Sequence, residues 1–472
     1  MKTIERKLTY KGFICQAKVQ NFFAGRIWIK ELAPFPQLLI ETYIKRGYLK
    51  ERPGIQMKTR RYRCERCHNE MQHEFIEFNC ARCERTCVYC RHCINMGRVA
   101  SCTTLLTWAG PQPRMANNHV LDWQSQFTEL QAKAARELDR SLQQGRSHLL
   151  HAVCGAGKTE ILFGATYSAL KAGKRVAIAT PRTDVVLELL PRFQQVFPKT
   201  TIHGLYGNAP RQEGFAQLVL ATTHQLYRFE QAFDVMIVDE ADAFPYTFDE
   251  TLQRAVVKAK KPEAPIGFVT ATPSSKLLNQ MKRDNWGYSF IPQRYHGFPL
   301  PVPRYDRLFH YDKAFQKGRI PRKLRSWLEQ QLADEKPFLL FFPTIELMEM
   351  ATPLFQEIDS KIEAVHAEDP DRKAKVMRLR NEEVPGLLTT TILERGVTIK
   401  NVQVAIIGAE SPIFTASALI QISGRVGRNA NFPDGDIVFF HHGVTFAMDQ
   451  ARAEILRMNA AGTFTQGEVS TK

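Results

Sequence analysis

From about residue 120 the chain alternates short apolar runs with helical stretches. HLLHAV (148–153), RVAIATP (175–181), QLVLATT (217–223), DVMIVDE (234–240) and IGFVTAT (266–272) are strand-length and largely apolar. Such runs mark strands buried on both faces, as in a parallel sheet covered by helices. FTELQAKAARELDRSLQQG, ahead of the first run, reads as a helix that stops at Gly145. The four-proline segment IPQRYHGFPLPVPR (291–304) reads as a linker, and beyond it FLLFFPT, IEAVHA, GLLTTTI, VQVAIIGA and DIVFF repeat the alternation. Two similar α/β units in tandem are therefore predicted, over 119–295 and 304–465. WAGPQPRMANN (108–118) is a second linker. Residues 1–62 mix aromatic and basic positions without a clear period and form a separate amino-terminal region.

At 472 residues, 44% hydrophobic and 24% charged, the chain can bury several cores, which excludes wholesale disorder. No apolar run approaches the roughly 18–20 residues of a spanning helix. The start, MKTIERKLTYKG, has no apolar stretch behind its charges and is not a secretory signal. A cytoplasmic protein is expected, with a peripheral position at the inner face of the cell membrane still open to it. The charge is lopsided: of a net +16, residues 1–110 carry 20 Lys and Arg against 9 Asp and Glu. A surplus of that kind suits a polyanion, because neutralised phosphates release counterions. A solvated basic surface is the alternative that charge alone allows.

Eight of the ten cysteines fall between Cys64 and Cys102, with Cys15 and Cys154 apart. Cys64-x-x-Cys67 and Cys80-x-x-Cys83 have knuckle spacing, Cys87, Cys90 and Cys93 follow at every third position, and Cys102 closes the set. Without a secretory signal a disulfide framework is not expected, and eight thiolates suit two four-coordinate structural zinc ions. The zinc-knuckle module is placed at 63–107; His68, His73 and His92 are candidate substitute ligands but read better as surface histidines. Each four-thiolate site carries a net −2, so two of them lower the local surplus to about +7. Substituting Cys64 or Cys90 is expected to destabilise this module, because structural zinc contributes folding energy, and to leave the site that opens at 152–160 assembled. Tyr62, Phe75 and Tyr89 lie among its charges, a mixture that suits single strands through stacking and phosphate neutralisation, with packing around the knuckles as the equal alternative.

AVCGAGKTE (152–160) follows a strand and opens a helix, the context of a phosphate loop. Gly155, Ala156 and Gly157 bring backbone N–H groups to phosphates, Lys158 reaches the β- and γ-phosphates, and Thr159 ligates magnesium. Ala152 stands where the strict pattern has its first glycine. DVMIVDEAD (234–242) ends a strand in adjacent acids: Asp239 is placed to hold magnesium and Glu240 to orient and deprotonate the attacking water.

GAGKT, DEAD, TAT (270–272) and QISGRVGR (421–428) resemble motifs I, II, III and VI of superfamily 2 helicases in order and spacing. ATPR (179–182), TTHQL (222–226) and TTTILERGVT (389–398) match motifs Ia, Ib and V. The resemblance implies two RecA-like lobes closing on ATP with nucleic acid across both. Gln421, Arg425 and Arg428 would then reach the phosphates from the second lobe, Gln131 would read adenine, and Thr180, Arg182, Thr223 and Thr389 would contact the DNA backbone. The cysteine module ending in CVYCRHCINMGR, with AVCGAGKTE, DEADAFPY and TTILERGVT, is similar to the ComFA family, the late competence ATPase of Gram-positive DNA uptake. Ala241 departs from that family's DEVDAFPY. The resemblance implies a four-cysteine finger of Cys64, Cys67, Cys90 and Cys93, with Cys80, Cys83, Cys87 and Cys102 left for a second site. It further implies single-stranded DNA, a membrane DNA-uptake channel and other competence proteins as partners, and the sequence leaves an oligomer open. A PriA-like replication-restart helicase fits less well, because there the zinc module follows the phosphate loop. A non-enzymatic zinc-containing DNA-binding protein is disfavoured by Lys158, Glu240 and Arg428.

Overall fold

In the computed structural model, residues 8–10, 13–210, 212, 214–394 and 398–469 are described. Residues 1–7 of the amino-terminal region and Arg395, Gly396 and Val397 of the motif V segment lie outside them. Two parallel sheets carry the chain. The first has seven strands in the order Ile202–Leu205, Leu218–Thr222, Val176–Thr180, Val235–Asp239, Ile266–Thr270, His148–Ala152 and Gly287–Ile291. The second has six, ordered Arg304–Arg307, Ile437–His441, Gln403–Ile407, Phe338–Phe341, Gly386–Thr389 and Glu363–Val365. Every predicted apolar run is one of these strands, and the interior ones are buried at each residue because helices cover both faces. Apolar clusters lie on both sides of each sheet, so each unit is an α/β lobe with its own core. The strand ends that matter for function are the carboxyl ends, where both units present their loops.

Three edge strands went unread. Gly287–Ile291 and Arg304–Arg307 bound their sheets with partly exposed, polar positions, and Ile202–Leu205 is short. The carboxyl-terminal helix Phe446–Val469 returns to the first lobe: Ile455 and Met458 join its core, and Asn459 pairs with the Leu300 backbone in both directions.

The amino-terminal residues are folded too. Phe22, Phe23, Phe35, Tyr43, Tyr48 and Trp108 pack around the helices Ala17–Phe23 and Gln37–Lys45. Strand Thr104–Trp108, after the cysteines, pairs with Ile27–Ile29 and Leu49–Pro53, before them. The hairpin Ile55–Lys58 with Arg61–Cys64 runs through residues 62 and 63. The stretches 1–62 and 63–107 are thus interwoven, not consecutive.

The cysteine module also shares a core with the first lobe. Cys64, Cys67, Cys90, Cys93, Phe75 and Val88 lie in one apolar cluster with Leu226, Tyr227, Phe229 and Val256. Buried Lys258, in the helix Glu250–Ala259, donates to the carbonyls of Arg66 and Tyr227. His92 Nε2 meets the Tyr227 hydroxyl at 2.9 Å and Asp249 at 3.6 Å. Arg175 donates to Ala24 O at 3.0 Å. The module and the lobe thus share packing, and loss of the module would strip apolar cover and hydrogen-bond partners from the lobe.

Candidate functional site

The loop after His148–Ala152 turns tightly, with Gly155 and Gly157 at φ +81° and +74°, the left-handed region that glycine enters without a steric penalty. Gly157 is the N-cap of the helix Lys158–Lys171, so the loop presents backbone N–H groups and the helix's positive end to one point. A Cβ on Gly157 would lie 2.3 Å from Gln131 Nε2, so a side chain there would push the Gln131 amide off the loop. Gln131 completes a capping box with Thr128, accepting from the Thr128 N–H at 2.8 Å, and donates to Ala156 O at 3.0 Å. The structure thus engages its amide in holding the loop. Lys158 Nζ lies 3.5 Å from Ala152 O, and Thr159 is half-buried on the same first turn.

Opposite the loop, Asp239 ends a buried strand and accepts from the Glu240 N–H at 2.9 Å; Glu240 itself sits at φ +54°. Burial and then the Glu240 charge push the Asp239 carboxyl up to about 7, with Lys158 acting against them. A cation beside the carboxylate removes that penalty, which is the environment a magnesium ligand needs.

The two lobes meet over this site. Asp242 accepts from Thr270 Oγ1 at 2.6 Å and Thr272 Oγ1 at 2.7 Å, and across the cleft from Ser417 Oγ and Gln421 Nε2, both at 3.3 Å. Gln421 Oε1 accepts from the Cys154 thiol at 2.9 Å, so this second-lobe glutamine touches both the phosphate loop and the acid loop. Arg425 is 2% exposed; its Nε donates to Glu394 O at 3.1 Å, and burial lowers its pKa. Arg428 Nε donates to Gly424 O at 2.8 Å. Arg182, from the first lobe, donates to Ile392 O at 2.7 Å and pairs with Asp184. Thr180, Thr223 and Thr389 sit at strand ends with their side chains buried, and the Thr389 hydroxyl donates to Thr390 O. Sequence reasoning had no role for Asp242, Thr272, Ser417 or Cys154. The letters of the first two stood inside recognised motifs, but their pairing is tertiary.

The cysteines form two sets of four, Cys64, Cys67, Cys90 and Cys93 in one and Cys80, Cys83, Cys87 and Cys102 in the other, each within 4.8 Å of one another. The hairpin Phe75–Cys80 with Arg85–Cys90 explains the division. In an extended strand Cys87 and Cys90 stand about 10 Å apart and face opposite sides, so they cannot share an ion. Sulfurs of the first set are 3.7 Å (Cys67–Cys90) and 3.8 Å (Cys64–Cys93) apart, too far for disulfides. A Zn–S bond of about 2.3 Å sets a tetrahedral edge of about 3.8 Å. In the second set Cys80 and Cys102 match that edge at 3.8 Å, Cys83 and Cys87 are closer at 3.2 Å, and Cys83 and Cys102 are partly exposed. Both sets fit a four-thiolate ion.

Residues 9–107 match the family model of the competence protein ComFA N-terminal domain. Residues 124–275 match that of the type III restriction enzyme res subunit, and 321–430 the helicase conserved C-terminal domain. In solved structures the lobes resemble S. cerevisiae Dbp5 bound to RNA and ADP BeF3, with TM-score 0.52 and 15% identity over 71% of this chain and 88% of that one. The DEAD-box helicase Mss116 bound to ssRNA and UDP-BeF gives TM-score 0.53 and 17% identity over 67% and 70%. At those identities the likeness concerns fold alone. Transcription-repair-coupling factor of Staphylococcus aureus is 27% identical over 68% of this chain but only 28% of its own length, so the likeness covers one part of that protein. Competence protein ComFA of Bacillus subtilis is 40% identical over 94% of this chain and 95% of that protein, and that of Streptococcus pneumoniae 37% over 86% and 92%. With the helicase domains and the amino-terminal domain both matched, the chain is a helicase-like ATPase of superfamily 2, and it belongs to the ComFA family of competence proteins.

Proposed function

We propose that this chain is an ATP-driven translocase on single-stranded DNA that helps draw transforming DNA through a membrane channel. The observation that carries the reading is Gln421, a second-lobe residue held at once by Cys154 of the phosphate loop and Asp242 of the acid loop. One site built from both lobes lets hydrolysis be felt as lobe movement. The backbone of Gly155, Ala156 and Gly157 with Lys158 would hold the phosphates, and Thr159 and Asp239 would hold magnesium, which supplies charge neutralisation. Glu240 would take the proton of the attacking water. Arg425 and Arg428 would neutralise the developing charge from the other lobe, and Gln421 would sense the γ-phosphate. Gln131 would hold the loop and meet adenine at its rim.

Thr180, Thr223 and Thr389 stand at loops leaving strand ends, where backbone N–H groups can grip phosphates without reading bases; Arg182 adds charge there. The two cysteine sets would hold two structural zinc ions. No helix among the described residues is long and apolar enough to cross a membrane. A cytoplasmic motor recruited to the membrane by the channel and other competence proteins, alone or as an oligomer, is consistent with that. The test is ATPase rate with no polymer, single-stranded DNA, duplex DNA and RNA. Single-stranded DNA should stimulate most. Equal rates in all four would contradict the reading.

A further inference from the structure

The interlobe linker carries a charge that the motifs leave unexplained. Arg294 is 2% exposed, and among the described residues it forms no ion pair. One guanidinium nitrogen donates to Gly427 O, while Nε and the other terminal nitrogen are buried without a partner. That bond does not account for the charge, since His296 Nε2 donates to the same carbonyl at 3.1 Å. Burial, and then the neighbouring charge of Arg428, pushes the guanidinium down to about 10, so Arg294 remains cationic at neutral pH. Asp434 acts in the other direction but lies beyond ion-pair distance. A buried guanidinium with two idle donors beside a second arginine is costly unless an anion joins it.

Its position says which anion. The Arg294 stem lies against the phosphate loop, 3.5 Å from where a Cβ on Gly155 would stand, and the Tyr295 N–H donates to Gly155 O at 3.0 Å. On the other side, a Cβ on Gly427 would meet the guanidinium at 2.6 Å. Arg294 therefore stands between Gly155 of motif I and Gly427 of motif VI, in ordinary contact with the first and packed, with the Pro433 carbonyl, against the second. We propose that Arg294 is a nucleotide-binding residue that contacts the polyphosphate of ATP from the linker, alongside Lys158 and Arg428. This rests on the reading of 155–159 as the phosphate loop. Because the residue is tied to both lobes, its grip on phosphate would also favour their closure.

The experiment uses full-length protein with Arg294→Gln, which keeps a donor for Gly427 O without the charge, and Arg294→Lys, which keeps the charge without the fork. Fluorescent ATP and ADP affinities, nucleotide-free single-stranded DNA affinity and nucleotide-free Tm are measured for each. A charge-assisted contact to phosphate predicts about 10- to 100-fold weaker ATP binding for Arg294→Gln, with a smaller loss for Arg294→Lys. Nucleotide-free Tm should be unchanged or higher, because an uncompensated buried charge is gone. Unchanged ATP affinity in Arg294→Gln overturns the proposal, as does a lowered Tm with ATP and DNA binding reduced alike, which would make Arg294 a structural tie. A phosphate site on DNA instead of nucleotide would weaken DNA binding alone, and that also overturns it. Lys158→Ala runs in parallel: normal ATP binding there refutes the phosphate-loop reading, whereas weakened binding there with none in Arg294→Gln removes only Arg294.

Discussion

Asp242→Asn should uncouple the lobes while leaving the fold in place. The side chains are isosteric, but the amide offers one acceptor oxygen where the carboxylate has two, and four donors converge on this group. If the amide oxygen stays on Thr270, its NH2 faces the Gln421 amide, a donor set against a donor, while the Thr272 and Ser417 hydroxyls, themselves 2.7 Å apart, can meet it only as acceptors and give up their bonds to a charged group. Hydrogen bonds to a charged group contribute about 1.5–3 kcal/mol each, but the two that cross the cleft are long at 3.3 Å and count for about 1 kcal/mol apiece. A loss of about 2 kcal/mol from the closed arrangement is about a 30-fold loss in its population relative to the open one. Steady-state ATPase on single-stranded DNA should therefore show kcat down about 30-fold. ATP affinity of the first lobe should change little, since the phosphate loop is untouched. A kcat indistinguishable from the parent's would show that the Asp242 bridge does not govern closure.

Lys158→Ala should bind ATP poorly and abolish turnover, whereas Glu240→Gln should bind ATP and fail to hydrolyse it; near-normal hydrolysis in either removes the site assignment. Metal analysis of purified protein should find two zinc ions per chain, and a single ion would leave one cysteine set without its role. Cys64→Ser should cost about 3 kcal/mol or more, a Tm drop of roughly 6–12 °C for a unit of this size, and the drop should extend to the first lobe because the core is shared. An unchanged Tm would contradict the shared core. A chain beginning near residue 120 should melt earlier, because it exposes Tyr227 and Phe229 and takes the Arg66 carbonyl from Lys258. It should also bind single-stranded DNA more weakly, with a deficit that shrinks as salt rises; equal affinities at all salt levels would assign the module to a protein partner.

The interior strands were legible because each has helices on both faces, which leaves runs such as VAIAT and VMIVD apolar at every position. Edge strands escaped the same reading. Arg304–Arg307, RYDR, pairs on one side only, so its polar residues and the prolines before it read as linker. The amino-terminal region had no period because its helices have only seven and nine residues and its strands three to five, held by aromatics that meet only in the folded state. Motif letters located the phosphate loop, the acid strand and the arginines, since those chemistries need fixed spacing. Arg294 had no such signal. It stands in a proline-rich connector, and only the approach of Gly155 and Gly427 from different lobes gives it a neighbourhood.

The most direct test of directed movement is displacement of streptavidin from end-biotinylated single-stranded DNA. With ATP, the full-length protein should strip streptavidin from one end faster than it dissociates unaided, while Glu240→Gln and Asp242→Asn bind the strand and strip slowly or not at all. DNA-stimulated hydrolysis with no displacement from either end would contradict translocation, and leave an ATPase that grips DNA without moving along it.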